Sequence, residues 1–86
     1  MQENNPPSGT REAVATAVRI AMAKRKISGR ALADQLGMPQ SAFSRRMTGE
    51  VAFDVDELAE IAVVLNEPLA TLVAGVSALD ATVGAA

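Results

Sequence analysis

Gln40, Ser41, Ser44 and Arg45 stand at i, i+1, i+4 and i+5, a spacing that puts four hydrogen-bonding side chains on one face of a short helix. The chemistry open to such a set is recognition. Gln can pair bidentately with adenine and Arg with guanine, and an α-helix just fits the major groove of double-stranded DNA. Pro39 opens this helix where its missing N–H costs nothing, Phe43 and Met47 turn inward one turn apart, and Gly49 ends it.

Other chemistries are bounded by what the chain lacks. With no Cys and no His it has no disulfide framework, thiolate nucleophile, zinc site or Ser-His-Asp triad. We therefore expect no enzyme, no cofactor and no metal. Asp54, Asp56, Glu57 and Glu60 could suggest a metal site or an acid–base pair, but acids in a first helical turn are expected from capping and the helix dipole. Two Phe and no Tyr or Trp leave no stacking platform for RNA or single strands, so double-stranded DNA is the fitting partner.

The formal net charge of −2 argues against a nucleic-acid binder only as an average. All eight Lys and Arg fall between Arg11 and Arg46, whereas the stretch from Glu50 to Ala86 holds seven acids and no base. No apolar run approaches the ~18–20 residues that span a bilayer, and MQENNPPSGT lacks the basic-then-apolar order of a signal peptide. The expectation is a cytoplasmic protein, of a prokaryotic cell or a phage-infected host, with no membrane partner.

The elements that must position the short helix can be read from periodicity. Eighty-six residues fit one small domain, and 49% apolar content drawn largely from Ala, Leu, Val, Ile and Met favours an all-α fold. Residues 1–9 read as a disordered arm. The domain spans 10–75, with 76–86 as an extension. Thr10 is placed to cap a first helix ending near Lys26, with Val14, Val18, Ala21 and Met22 inward and Arg11 and Arg19 off that stripe. Ser28 caps the second helix, Ile27 staples onto Leu32, and Leu32, Ala33 and Leu36 are buried before Gly37 supplies a left-handed turn.

Asp54 opens the fourth helix with a capping box to Glu57 and a staple from Phe53 to Leu58, and Leu58, Ile61, Ala62 and Leu65 form its core stripe. Asn66 and Pro68 punctuate it. Pro68 opens a fifth helix, in which Leu69, Leu72 and Val73 pack back on the domain. Leu69, Leu72, Val76, Leu79 and Val83 also alternate by three and four. That spacing fits either the seam of a homodimer or two core residues followed by a frayed tail.

The stretch LADQLGMPQSAFSRRMTGE resembles the lambda-repressor-like helix-turn-helix family of phage repressors, Cro proteins and XRE-type bacterial regulators. Leu32-Ala33, Leu36-Gly37, Gln40-Ser41, Phe43, Ser44-Arg45 and Gly49 fall in register, and the flanking helices extend the likeness from Thr10 to Gly75. The resemblance implies a five-helix domain, helices 2 and 3 forming the helix-turn-helix. It implies base contacts from Gln40, Ser41 and Arg45, with Ser44 and Ala42 on the same groove-facing side, the Ala42 methyl within reach of a thymine methyl. The family's phosphate anchors map onto Ser28, Gly29, Arg30 and Thr48. Because Glu50 occupies a loop where relatives commonly carry a base, Arg46 and Lys26 join Arg30 and Arg45 as candidate phosphate contacts. Met22 and Met47 stand where the family often has a buried Arg–Glu pair. The function implied is a sequence-specific transcriptional regulator, a repressor of phage or prophage type. The rival reading is a protein-interaction module, such as an antitoxin of the same fold, whose acidic C-terminal half binds a basic partner.

Overall fold

Four residues with positive φ close the first four helices: Lys26 (φ 56°), Gly37 (68°), Gly49 (86°) and Asn66 (53°). In the computed structural model, which describes residues 6–75, these helices are α1 (Pro6–Arg25), α2 (Gly29–Leu36), α3 (Gln40–Met47) and α4 (Val55–Leu65), followed by α5 (Leu69–Leu72). No strand occurs among the described residues. All four ends share one geometry. After the left-handed residue the next N–H reaches back five residues: Ile27 to Met22 O (3.1 Å), Met38 to Ala33 O (3.0 Å), Glu50 to Arg45 O (3.0 Å) and Glu67 to Ala62 O (2.9 Å). These bonds satisfy carbonyls that the helix leaves unpaired.

The starts of α2 and α4 follow from their caps. Ser28 Oγ accepts from the Ala31 N–H at 3.1 Å, and Asp54 and Glu57 form the full reciprocal box, Glu57 N–H to Asp54 Oδ1 (2.7 Å) and Asp54 N–H to Glu57 Oε1 (3.0 Å). Two starts differ from the sequence reading. α1 begins at Pro6 rather than at Thr10, so Thr10 lies inside the helix and the last four residues of the expected arm are helical. Proline is tolerated in a first turn, where the N–H has no intrahelical partner to lose. Pro39 is the residue before α3 rather than its first, with φ −58° and an extended ψ of 145°. Residues 1–5 of the arm, and Val76, Leu79 and Val83 of the heptad series, lie outside the described residues.

α1 packs against α3, α4 and α5, while α2 bridges α3 and α4. The core takes Val14, Val18 and Ala21 from α1, Leu32 and Ala33 from α2, Phe43 from α3, Leu58, Ile61, Ala62 and Leu65 from α4 and Leu72 from α5. Met22, Ile27, Leu36, Met47, Phe53 and Val73 sit half-buried around it. Val18, Leu32, Ile61, Leu65 and Leu72 are fully enclosed, each side chain contributing about 2 kcal/mol of burial. This burial matters because α2 and α3 have only eight residues each. Helices that short are held by tertiary packing. Leu69, expected to pack inward, is instead 40% exposed, since α5 is a single turn and only Leu72 on it reaches the core.

Candidate nucleic-acid interface

The α3 side chains divide by burial. Phe43 is 2% exposed and meets the Phe53 ring edge-to-face, centroids 6.1 Å apart, which seats α3 against the segment leading into α4. Gln40, Ser41, Ser44 and Arg45 are all exposed. They form the hydrogen-bonding face expected from their spacing. Ala42 is half-buried, and its carbonyl accepts from Arg46 Nη1 at 3.0 Å, so it lies toward the shoulder of α3.

The C-terminal end of α3 is held from two sides. From α1, Arg19 Nη2 donates to Met47 O (2.9 Å) and Arg11 Nε donates to Gly49 O (2.7 Å). Guanidinium groups at this end also suit the negative pole of the helix. From α4, Glu57 Oε1 accepts from Arg46 Nε at 3.0 Å, with the two side chains about one-fifth exposed. Met22 and Met47 remain at the edge of the core as apolar filling. The ion pair holding α3 to the scaffold is thus Arg46–Glu57.

The residues expected at phosphates differ in how free they are. Lys26 and Arg30 are exposed, as is Arg45, and the side chains of all three have no ion-pair or hydrogen-bond partner among the described residues. Ser28 is exposed and uses its oxygen as the α2 cap, which leaves its O–H free to donate. Thr48 donates its hydroxyl to Arg45 O (2.9 Å) and accepts from the Glu50 N–H (3.4 Å). Arg46 is turned to Glu57 and Ala42 O, away from the exposed face of α3.

Cations at the far end of α1 are also engaged. Lys24 Nζ lies 2.8 Å from Glu67 Oε2, and Arg25 donates from Nε to Leu65 O (2.7 Å) and from Nη2 to Asn66 O (3.0 Å). The Lys24 hydrogen bond is the main cause holding the Glu67 carboxyl below its ordinary range, with burial opposing and Arg25 assisting. The residue pattern assigns Arg11, Arg19 and Glu57 no part in placing α3. The available signal was that Arg11 and Arg19 lie off the apolar stripe of α1. Their targets are backbone carbonyls, which no residue pattern marks.

Among the described residues no helix is long and apolar enough to cross a membrane. A family model described as the BetR domain matches residues 10–84, a stretch that contains α2, α3 and every residue of the candidate interface. Neither the curated proteins nor the solved structures yield a match to the chain.

Proposed function

The chain belongs to the BetR domain family, a helix-turn-helix type of DNA-binding domain, and from that premise we propose that it is a sequence-specific transcriptional regulator of double-stranded DNA. α3 is its reading helix, with the lambda-repressor-like mode of docking and the action of a phage or prophage-type repressor that occludes promoter elements. Gln40, Ser41 and Arg45 address base edges, with Ser44 and the Ala42 methyl at the margins of the contact. Arg30, Lys26, Ser28 and Thr48 line the backbone.

One observation carries this reading. Of the eight basic residues, five have hydrogen-bond or ion-pair partners within the fold: Arg11, Arg19, Lys24, Arg25 and Arg46. Lys26, Arg30 and Arg45 are exposed and have no such partner among the described residues, and they belong to the α1–α2 turn, α2 and α3, the segment that holds the helix-turn-helix. An acidic chain that keeps its free cations there has a local positive surface despite its average charge. The domain performs no chemistry in this account. Phosphate contacts position it and a few base contacts select the site.

Selection of bound sequences from a random duplex pool tests the proposal. The expected result is an enriched motif, whose half-site spacing also reports whether two copies dock together. Arg45→Ala should cost about 1–3 kcal/mol and relax preference mainly at one base pair. Recovery of no enriched sequence, or an unchanged motif with Arg45→Ala, would overturn it.

A further inference from the structure

α4 turns one face to the core through Leu58, Ile61, Ala62 and Leu65, yet its opposite face is not uniformly polar. Val55, Ala59 and Val63 recur every four residues and so align along the helix. All three are exposed, Val55 at 73% and Val63 at 80%. Asp56 and Glu60, also exposed, run beside them. Between α4 and the last turn of α2, a shallow groove is lined by Gln35, Ala59, Glu60, Val63 and Val64. Nothing in the DNA reading uses this surface.

We propose that this face of α4 is a docking site for a basic amphipathic helix of a partner protein, one whose apolar stripe is bordered by Lys or Arg. Charge decides the occupant. No base occurs between Thr48 and Gly75, and Arg46, Lys24 and Arg25, the cations that pair with α4 and the turn after it, are bound to Glu57, Glu67 and the carbonyls at Leu65 and Asn66. Asp56 and Glu60 take part in no ion pair among the described residues. A second copy of this chain laid on the same face would set Asp56 and Glu60 against their own equivalents, and like charges at an interface disfavour pairing. A basic partner gains from both parts of the surface: valines take its apolar stripe and carboxylates its flanking cations.

The inference does not depend on α3 reading DNA. The probe is a designed helical peptide with Leu every third and fourth residue bordered by Lys, compared with the same peptide bordered by Glu. Backbone amide shifts of the full chain should move at Val55, Ala59, Glu60 and Val63 with the Lys-bordered peptide and stay still with the other. Val63→Asp should weaken the complex at least tenfold, and so should Glu60→Lys, while Arg45→Ala leaves it unchanged. Val63→Asp separates docking from bare charge attraction, because it adds a negative charge and would strengthen a purely electrostatic attachment. Stronger binding by Val63→Asp, equal binding of both peptides, or dimerisation of the chain abolished by Val63→Asp would overturn the proposal. Exposed positions are substituted throughout, so folding is retained, as an unchanged unfolding midpoint should report.

Discussion

Arg46 Nε donates to Glu57 Oε1 at 3.0 Å, and the same oxygen accepts the Asp54 N–H that completes the α4 cap. One carboxylate thus fixes the start of α4 and the orientation of α3 together. A double-mutant cycle over Arg46→Met and Glu57→Gln, read by urea unfolding, should give a coupling of about 1 kcal/mol. Gln retains an acceptor for the Asp54 N–H, so Glu57→Gln isolates the charge. With Arg46 engaged in this way, Arg46→Met should leave the salt dependence of DNA affinity at its wild-type slope. A slope shallower by about 0.9 would instead put Arg46 on a phosphate.

Arg30 stands differently, exposed on α2 and with no side-chain partner among the described residues. Arg30→Ala should weaken every duplex by a similar factor and reduce the salt slope by about 0.9. Titrations of specific and unrelated duplexes at several salt concentrations measure both. Loss confined to one sequence would make Arg30 a base contact.

Gly37 and Gly49 both hold positive φ, at 68° and 86°. Alanine at either should cost about 1–2 kcal/mol, the strain of a left-handed residue with a Cβ. At Gly49 the methyl would also approach Glu12 Cγ to 3.0 Å, whereas at Gly37 nothing lies within 4 Å. Urea unfolding in a Glu12→Ala background should therefore recover part of the Gly49→Ala loss and none of the Gly37→Ala loss.

Glu67 ties the turn after α4 to Lys24 of α1. Its carboxyl is held below the ordinary value of 4.5, chiefly by the Lys24 hydrogen bond. The unfolded chain therefore binds this proton more readily than the folded one. The stability so gained is present in full above pH 4.5 and is lost as the pH falls through the lowered folded value. Unfolding measured at stepped acid pH should show Glu67→Gln with a flatter decline than the wild type below pH 4.5. Parallel curves would show that the pair contributes no pH dependence.

Local chemistry was legible in the residues themselves. Ser28, Asp54 and Glu57 announce their caps because the atoms that satisfy a helix N-terminus are one to three residues away. Gly37, Gly49 and Asn66 mark helix ends, being residue types that tolerate a left-handed backbone. Lys26 holds the same conformation at the end of α1, which its residue type does not announce, because lysine has no preference for a left-handed backbone. The apolar spacing of α1, α2 and α4 likewise foretold Val14, Val18, Leu32, Ala33, Leu58, Ile61 and Leu65 in the core.

By itself, then, the sequence determined an all-α chain, the order of its five helices and the hydrogen-bonding face of α3, since each depends on neighbours within about one helical turn. Which cations remain available was decided only by tertiary structure. Arg11, Arg19, Arg25 and Arg46 find partners between 11 and 42 residues away, and all but Arg46 bind solely backbone carbonyls or Glu67. Residue type carries the charge of an arginine, but only the packing of α1 and α4 around α3 determines whether its N–H groups are engaged within the fold or offered to a ligand.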